Sequence, residues 1–368
     1  MRITLRELLR RPGGFVPVGG AMTLLVVLLV ILGGFLDGLE LDQTGAFRSQ
    51  QDRLWVLSEP ADLQLGRSTL DGAVADEIRD LDGVASVAGI ASFVTTATVA
   101  DDAADGDQVV DVAVFGYEQR SANLPDPPAD GEVVVDDRLL ATVDLEPGDR
   151  LAVGPGATTV TVAGFVEDAT QGAPSLWVGL EAFRDLQRTA APATALPDDA
   201  VQALVVTPAD GTDDAELAAR IDAALGRTTT VSLDELIAGQ PVVAQQSATF
   251  QGIIFVTFVV VLLVVALFFA LLILERTRLY AVLKALGARS GDLARGVIAQ
   301  AVVIALIALV LGGLLSAGLV AVLPADLPVR LVPARVATIA VGTVLTAVLG
   351  VLVVLRRILR IDPARAIG

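Results

Sequence analysis

The chain has 368 residues, of which 54% are apolar and only 4% aromatic, and its mean hydropathy is +0.67. Such a composition excludes an ordinary soluble globule and points to a membrane protein. The formal net charge is −17, and neither histidine nor cysteine occurs, which removes disulfides, thiolate chemistry, Ser-His-Asp triads and the usual zinc sites.

Four apolar stretches have the length that about 30 Å of hydrocarbon requires at 1.5 Å per residue: 15–36, 252–274, 297–323 and 336–355. The first has a longer apolar run than a secretory signal core. Phe35-Leu36-Asp37-Gly38 also offers no small-x-small cleavage site, so this stretch reads as a retained helix. Basic residues concentrate in three flanks: Arg2, Arg6, Arg10 and Arg11, then Arg276, Arg278, Lys284, Arg289 and Arg295, then Arg356, Arg357, Arg360 and Arg365. The positive-inside rule places these flanks in the cytoplasm, with residues 1–14 as an amphipathic helix, 275–296 as a loop and 356–368 as a tail. Residues 37–250 and the short turn 324–335 then lie outside. Nearly all the Asp and Glu fall in the large outer segment, and that acidity argues against nucleic acid or an anionic lipid surface as its partner.

Without disulfides, the outer segment has to be held by its core, and two lobes are expected for its size. Strand patterns appear at 54–57, 84–87, 92–99 and 109–115, with an amphipathic helix over 70–81. A tightly turned β section follows at 132–135, 149–153 and 158–165, punctuated by Pro147-Gly148 and Gly154-Pro155-Gly156, as in a small barrel or sandwich. The chain resumes with strands at 176–178, 201–207 and 228–231, and helices at 180–187 and 214–225. Two βαβ-like halves around a β insert are expected. From Leu233 a helical pattern runs into the second membrane stretch, with Pro241 predicting a kink. The fold class is therefore a four-helix membrane protein with an α+β extracytoplasmic domain.

The chemistry available to this chain is narrow. There is no G-x-x-x-x-G-K-[ST] phosphate loop, and the single lysine is Lys284. Any ATP is hydrolysed by a partner, and the chain itself binds no cofactor. The carboxylate pairs Asp101-Asp102, Asp136-Asp137, Asp198-Asp199 and Asp213-Asp214 lack the glycine and ligand spacing of a calcium loop and read as solvated surface. No Asp, Glu, Lys or Arg lies within the four stretches, so an ion-coupled transporter or proton relay is disfavoured.

One segment carries a specific signature: Glu275-Arg276-Thr277-Arg278-Leu279-Tyr280-Ala281-Val282-Leu283-Lys284-Ala285-Leu286-Gly287-Ala288-Arg289. It resembles the loop between the second and third membrane helices of FtsX-like permeases, the MacB-type group of macrolide-export, lipoprotein-release and haem-export ABC transporters. Weaker agreements lie in Leu5-Arg6-Glu7-Leu8-Leu9-Arg10-Arg11, in Leu145-Glu146-Pro147-Gly148-Asp149-Arg150-Leu151 and in Ile361-Asp362-Pro363-Ala364-Arg365-Ala366. Tyr280 departs from the pattern, since the family often has an acidic residue there.

The resemblance implies a coupling helix that sits in a groove on a cytoplasmic ATPase, with two permease copies pairing with two ATPase copies. The residues suit that role: Leu279, Val282, Leu283 and Leu286 form an apolar ridge, Arg276, Arg278 and Arg289 orient it, Lys284 lies within it, and Gly287 ends the helix. An amphipathic helix of this kind also suits a membrane surface.

Gly34 and Gly38 stand in a G-x-x-x-G relation and, by the resemblance, line a seam between two copies; Gly312, Gly313, Ser316 and Gly318 form a second small-residue cluster. Asp37, Glu40, Gln43, Arg48, Gln245, Gln246 and Gln251 stand at the outer ends of the first two membrane helices, where they are candidates to ring a lateral gate. Were the cargo haem, its iron would take an oxygen or thioether ligand such as Glu40 or Met22. The expected function is ATP-driven export of a hydrophobic or amphiphilic molecule. The competing expectation is a non-transporting FtsX-like transmitter that switches an extracellular cell-wall hydrolase.

Overall fold

The computed structural model describes residues 16–99, 109–275, 282, 286, 289–324 and 327–359. In chain order its elements are α1 (Val16–Arg48), β1 (Leu54–Ser58), β2 (Leu70–Asp71), α2 (Ala73–Arg79), β3 (Val84–Val99), β4 (Val110–Tyr117), β5 (Glu132–Asp136), β6 (Arg150–Val153), β7 (Thr158–Val166) and β8 (Ser175–Gly179). There follow α3 (Leu180–Ala190), β9 (Ala200–Val201), β10 (Ala203–Pro208), α4 (Asp214–Leu225), β11 (Thr228–Val231), α5 (Leu233–Ala238), α6 (Pro241–Glu275), α7 (Ser290–Val320) and α8 (Pro333–Leu359). They fall into two compact units, Leu39–Gln245 and the remainder, Met1–Gly38 with Gln246–Gly368.

Among the described residues, the membrane unit contains four helices long and apolar enough to span a bilayer. Its core joins Met22, Val26 and Leu29 of α1 with Val261, Val265 and Phe269 of α6, Ala301, Ile304, Ala305 and Ala308 of α7, and Ala347 and Val351 of α8. Lipid competes with these side chains on equal apolar terms, so close packing has to hold the helices together. The sequence provides it with glycine: a Cβ on Gly312 would meet the Val26 side chain at 2.6 Å, and one on Gly342 would meet the Phe258 ring at 2.7 Å. A Cβ on Gly313 or Gly318 of the same α7 cluster would meet nothing within 4 Å, while Ser316 is fully buried. Leu263, Leu267 and Leu271 on α6 are exposed, as suits a surface whose solvent is hydrocarbon.

Two of these helices, α1 and α6, run on past the membrane unit. α1 has 33 residues and α6 has 35, so each is about 50 Å long against roughly 30 Å of hydrocarbon. The division at residues 38 and 245 falls within both, and each is continuous from one unit into the other.

In the outer unit, nine strands form one sheet in the order β11-β1-β10-β3-β4-β8-β5-β7-β6. Its pivot is β3, 16 residues long. The first half of β3 pairs with β10 and the second half with β4, while Ala97, Thr98 and Val99 reach β6 at Val153, Ala152 and Leu151. That last pairing closes β3-β4-β8-β5-β7-β6 into a barrel and leaves β11-β1-β10 as an open wing.

Both faces of this sheet are covered, which explains the unbroken apolar runs in its strands. Along β8, Leu176 and Val178 enter one core while Trp177, pointing the other way, enters the second; Val133 and Val135 part from Val134 in the same manner. The second core is aromatic, with the Phe115 and Trp177 rings stacked at 4.5 Å and Phe47 of α1 edge-on to Trp55 at 5.4 Å. Thus the last turns of α1 belong to the interior of the outer unit.

Four local expectations change. The strands expected at 84–87 and 92–99 are one strand, because Gly89, which needs room for no side chain, lets β3 pass close to Val201 and Leu180 without interruption. The two expected lobes consequently share that strand. The helix expected over 70–81 begins only at Ala73, since Leu70 and Asp71 pair with Val201 and Ala200. Pro241 starts a helix instead of kinking one: α5 opens on the capping box of Ser232 and Glu235 and ends before Gly239, and proline takes the first turn of α6, where a missing N–H costs nothing. Finally, Asp136 is fully buried instead of solvated.

Candidate functional site: the outer half of the first helix

Within the membrane unit, the outer end of α1 is clasped by the turn between α7 and α8. The N–H of Arg330 donates to the Gly34 carbonyl at 2.9 Å. A Cβ on Gly38 would stand 1.9 Å from the Pro328 carbonyl oxygen, a distance no real side chain tolerates, so glycine is required for this approach. Beside it, Nε and one terminal nitrogen of Arg335 both donate to Asp37 Oδ1, at 2.9 and 2.6 Å, while Asp37 Oδ2 is buried with no partner. The face of Gly34 and Gly38 expected to meet a second copy is therefore occupied by the chain's own residues 328–331.

Farther along, within the outer unit, α1 is held by the loop after β7. Gly172 N–H donates to the Asp42 carbonyl at 2.7 Å, and Ala46 N–H donates to the Thr170 carbonyl at 2.8 Å. Gln43 lies against Gly172, and Gly45 against the Asp168 carbonyl. Asp42 also forms an ion pair with Arg138, whose guanidinium pKa this hydrogen bond raises.

Asp136, at the end of β5, ties that loop down. Its Oδ1 accepts from Arg138 N–H at 3.0 Å and its Oδ2 from Ala169 N–H at 2.8 Å. Burial pushes its carboxyl up to about 6, against the pull of those two donors, because water is excluded on every side.

The gate candidates have local partners of their own. Glu40 accepts from Arg48 at 2.9 Å along the same helix, with Thr44 bridging the two, so both are engaged in a ladder on α1. Met22 is 1% exposed, packed in the membrane core by its own chain. On α6, Gln245 and Gln251 are exposed and Gln246 is half-buried. At the top of α1, Arg48, Asp52, Arg53, Asp214 and Asp234 line an open cleft of about 410 Å³ of mixed charge.

Of the coupling segment, Arg276, Arg278, Leu279, Leu283, Lys284 and Gly287 lie outside the described residues. Val282 and Leu286 are described and exposed, at 48% and 79%, and Leu286 N–H donates to the Val282 carbonyl at 3.0 Å. That bond is one helical turn, so both side chains stand on one face. Sequence reasoning missed Asp42, Gly45, Arg138 and the loop at 168–172, and read Asp136 as solvated; Gly45, a further glycine on the helix that carries Gly34 and Gly38, was the signal available.

Comparison with known proteins agrees with this architecture. The model of the FtsX-like permease C-terminal domain matches residues 252–363, and that of the MacB-like periplasmic core domain matches residues 20–224. No curated protein matches the chain. Among solved structures, the periplasmic region of MacB from Actinobacillus actinomycetemcomitans has 12% identity and a TM-score of 0.35, covering 50% of this chain and 90% of its own. The extracellular domain of the noncanonic ABC-type transporter YknZ from Gram-positive bacteria has 12% identity and a TM-score of 0.34, covering 49% of this chain and 100% of its own. With the core-domain model spanning more than half of the residues and the permease model most of the rest, the chain belongs to the FtsX-like, MacB-type permeases, the membrane component of ABC-type systems.

Proposed function

We propose that this chain is the permease half of a homodimeric ABC system, and that it converts ATP hydrolysis on a separate cytoplasmic ATPase into movement of its outer unit, extruding a hydrophobic or amphiphilic molecule. The observation that carries this reading is the continuity of α1 and α6, each far longer than the bilayer and each passing from one unit into the other. A helix is stiff along its axis, so displacement at its inner end reaches its outer end without a hinge. In this scheme the ATPase, with its own ATP and Mg²⁺, pushes on residues 275–296. Both termini lie in the cytoplasm, Leu39–Gln245 lies outside, and this chain performs no bond chemistry.

The test is reconstitution of the chain with its ATPase in lipid vesicles. ATP-dependent release of an amphiphile such as a fluorescent lipid, a macrolide or haem supports export. ATP-dependent binding of an extracellular cell-wall hydrolase, with no amphiphile moved, would replace export by the transmitter function. Leu283→Asp in the coupling segment is expected to release the ATPase while the outer unit stays folded; unchanged association would place the contact elsewhere.

A further inference from the structure

The coupling segment lies between α6 and α7, whereas α1 is remote from it in sequence, so within the membrane unit α1 can follow the other helices only through non-covalent contacts. The turn between α7 and α8 provides such contacts at the outer end. Residues 328–331 lie against Gly34 and Gly38, Arg330 N–H is bonded to the Gly34 carbonyl, and Arg335, in the first turn of α8, grips Asp37. Three different kinds of contact, a backbone approach, a hydrogen bond and an ion pair, converge on three residues, Gly34, Asp37 and Gly38, within one short stretch of one helix.

We infer that this turn is a latch that holds the outer end of α1 to α7 and α8, making α1 move with them. Its construction suits reversible engagement. Both Arg335 donors use one oxygen of Asp37, and the other oxygen is buried and unpartnered, so the pair falls short of the two-pronged geometry of a permanent anchor. The latch rests on the proposed function for its use, but its existence can be tested on the chain alone.

The absence of cysteine makes that test clean, since Leu28→Cys on α1 and Leu327→Cys in the turn, both at exposed positions, take spin labels without background. In lipid nanodiscs the distance distribution between them is expected to be narrow. Gly38→Leu, which drives a side chain into the Pro328 carbonyl, is expected to broaden and lengthen it, whereas Gly313→Leu, at a position with nothing within 4 Å, should leave it unchanged. Asp37→Arg alone should broaden it, and Asp37→Arg combined with Arg335→Asp should restore it. The latch is overturned if Gly38→Leu retains the narrow distribution, or if the charge-swapped pair is as broad as the single variant.

With the ATPase and ATP added, α1 in the original background should shift together with the turn, and in Gly38→Leu should lag while ATP is still hydrolysed. Equal α1 movement in both backgrounds overturns the latch. No movement in either, alongside intact spin-label results, overturns the proposed function instead.

Discussion

Gly45 and Asp168 meet backbone to backbone: a Cβ on Gly45 would stand 2.5 Å from the Asp168 carbonyl oxygen and 3.0 Å from the Thr170 nitrogen. Neither atom is the end of a flexible side chain, so the loop has to give way if the glycine is replaced. Gly45→Ala is expected to destabilise the outer unit by about 1–3 kcal/mol, the usual cost of overpacking. Gly164→Ala, with nothing within 4 Å, should be nearly silent. Intrinsic fluorescence during chemical unfolding of the full-length chain reads this directly, because the two tryptophans, Trp55 and Trp177, both lie in the outer unit.

The buried Asp136 predicts a pH signature. Its folded carboxyl titrates at about 6 against an ordinary value of 3.8, so the folded chain holds a proton that the unfolded chain has released between those values. The stability contributed by this group therefore rises as pH falls through 6 and levels off near 4. Compared with Asp136→Asn, which does not titrate, the native chain should gain about 2 kcal/mol on going from pH 7.5 to 4.5. A difference that stays constant with pH would show that Asp136 is ionised at its ordinary value.

Arg138 and Asp42 form a half-buried pair, whereas Arg79 and Asp76 form an exposed one, with side-chain exposures of 28% and 21% against 47% and 80%. Screening by water separates their worth. A double-mutant cycle to alanine should give a coupling of about 1–2 kcal/mol for the first pair. The same cycle should give less than about 0.5 kcal/mol for the second. Equal couplings would mean that Arg138 contributes nothing special to holding α1.

At the inner side, the exposed Val282 and Leu286 share one helical face. Val282 and Leu286 belong to none of the buried core clusters among the described residues, so with Val282→Asp or Leu286→Asp the outer unit and the membrane core should unfold as before. Association with the ATPase should weaken roughly tenfold or more, as for apolar anchors of a docking ridge. A binding titration showing native affinity in both variants would rule out this ridge as the docking face.

The membrane helices were legible in the sequence because the bilayer imposes length and apolarity on each helix separately, whatever it packs against. The same holds for Glu132-Val133-Val134-Val135 and the Gly148 and Gly154 turns, where local chemistry sets the backbone; both glycines have positive φ. Less was legible at the site. Gly34 and Gly38 read as a helix seam because a small-x-x-x-small pattern says only that something approaches closely, without saying what.

The sequence by itself determined the class of molecule: four spans, an acidic outer segment without cysteine, and a loop with an apolar ridge. Tertiary structure alone decided that β3 serves both the barrel and the open wing, that Asp136 is buried, and that residues 328–331 fill the face of Gly34 and Gly38. The reason is physical: spans and turns follow from neighbours in the chain, whereas a latch depends on groups about 300 residues apart, such as Asp37 and Arg335, whose meeting no local pattern encodes.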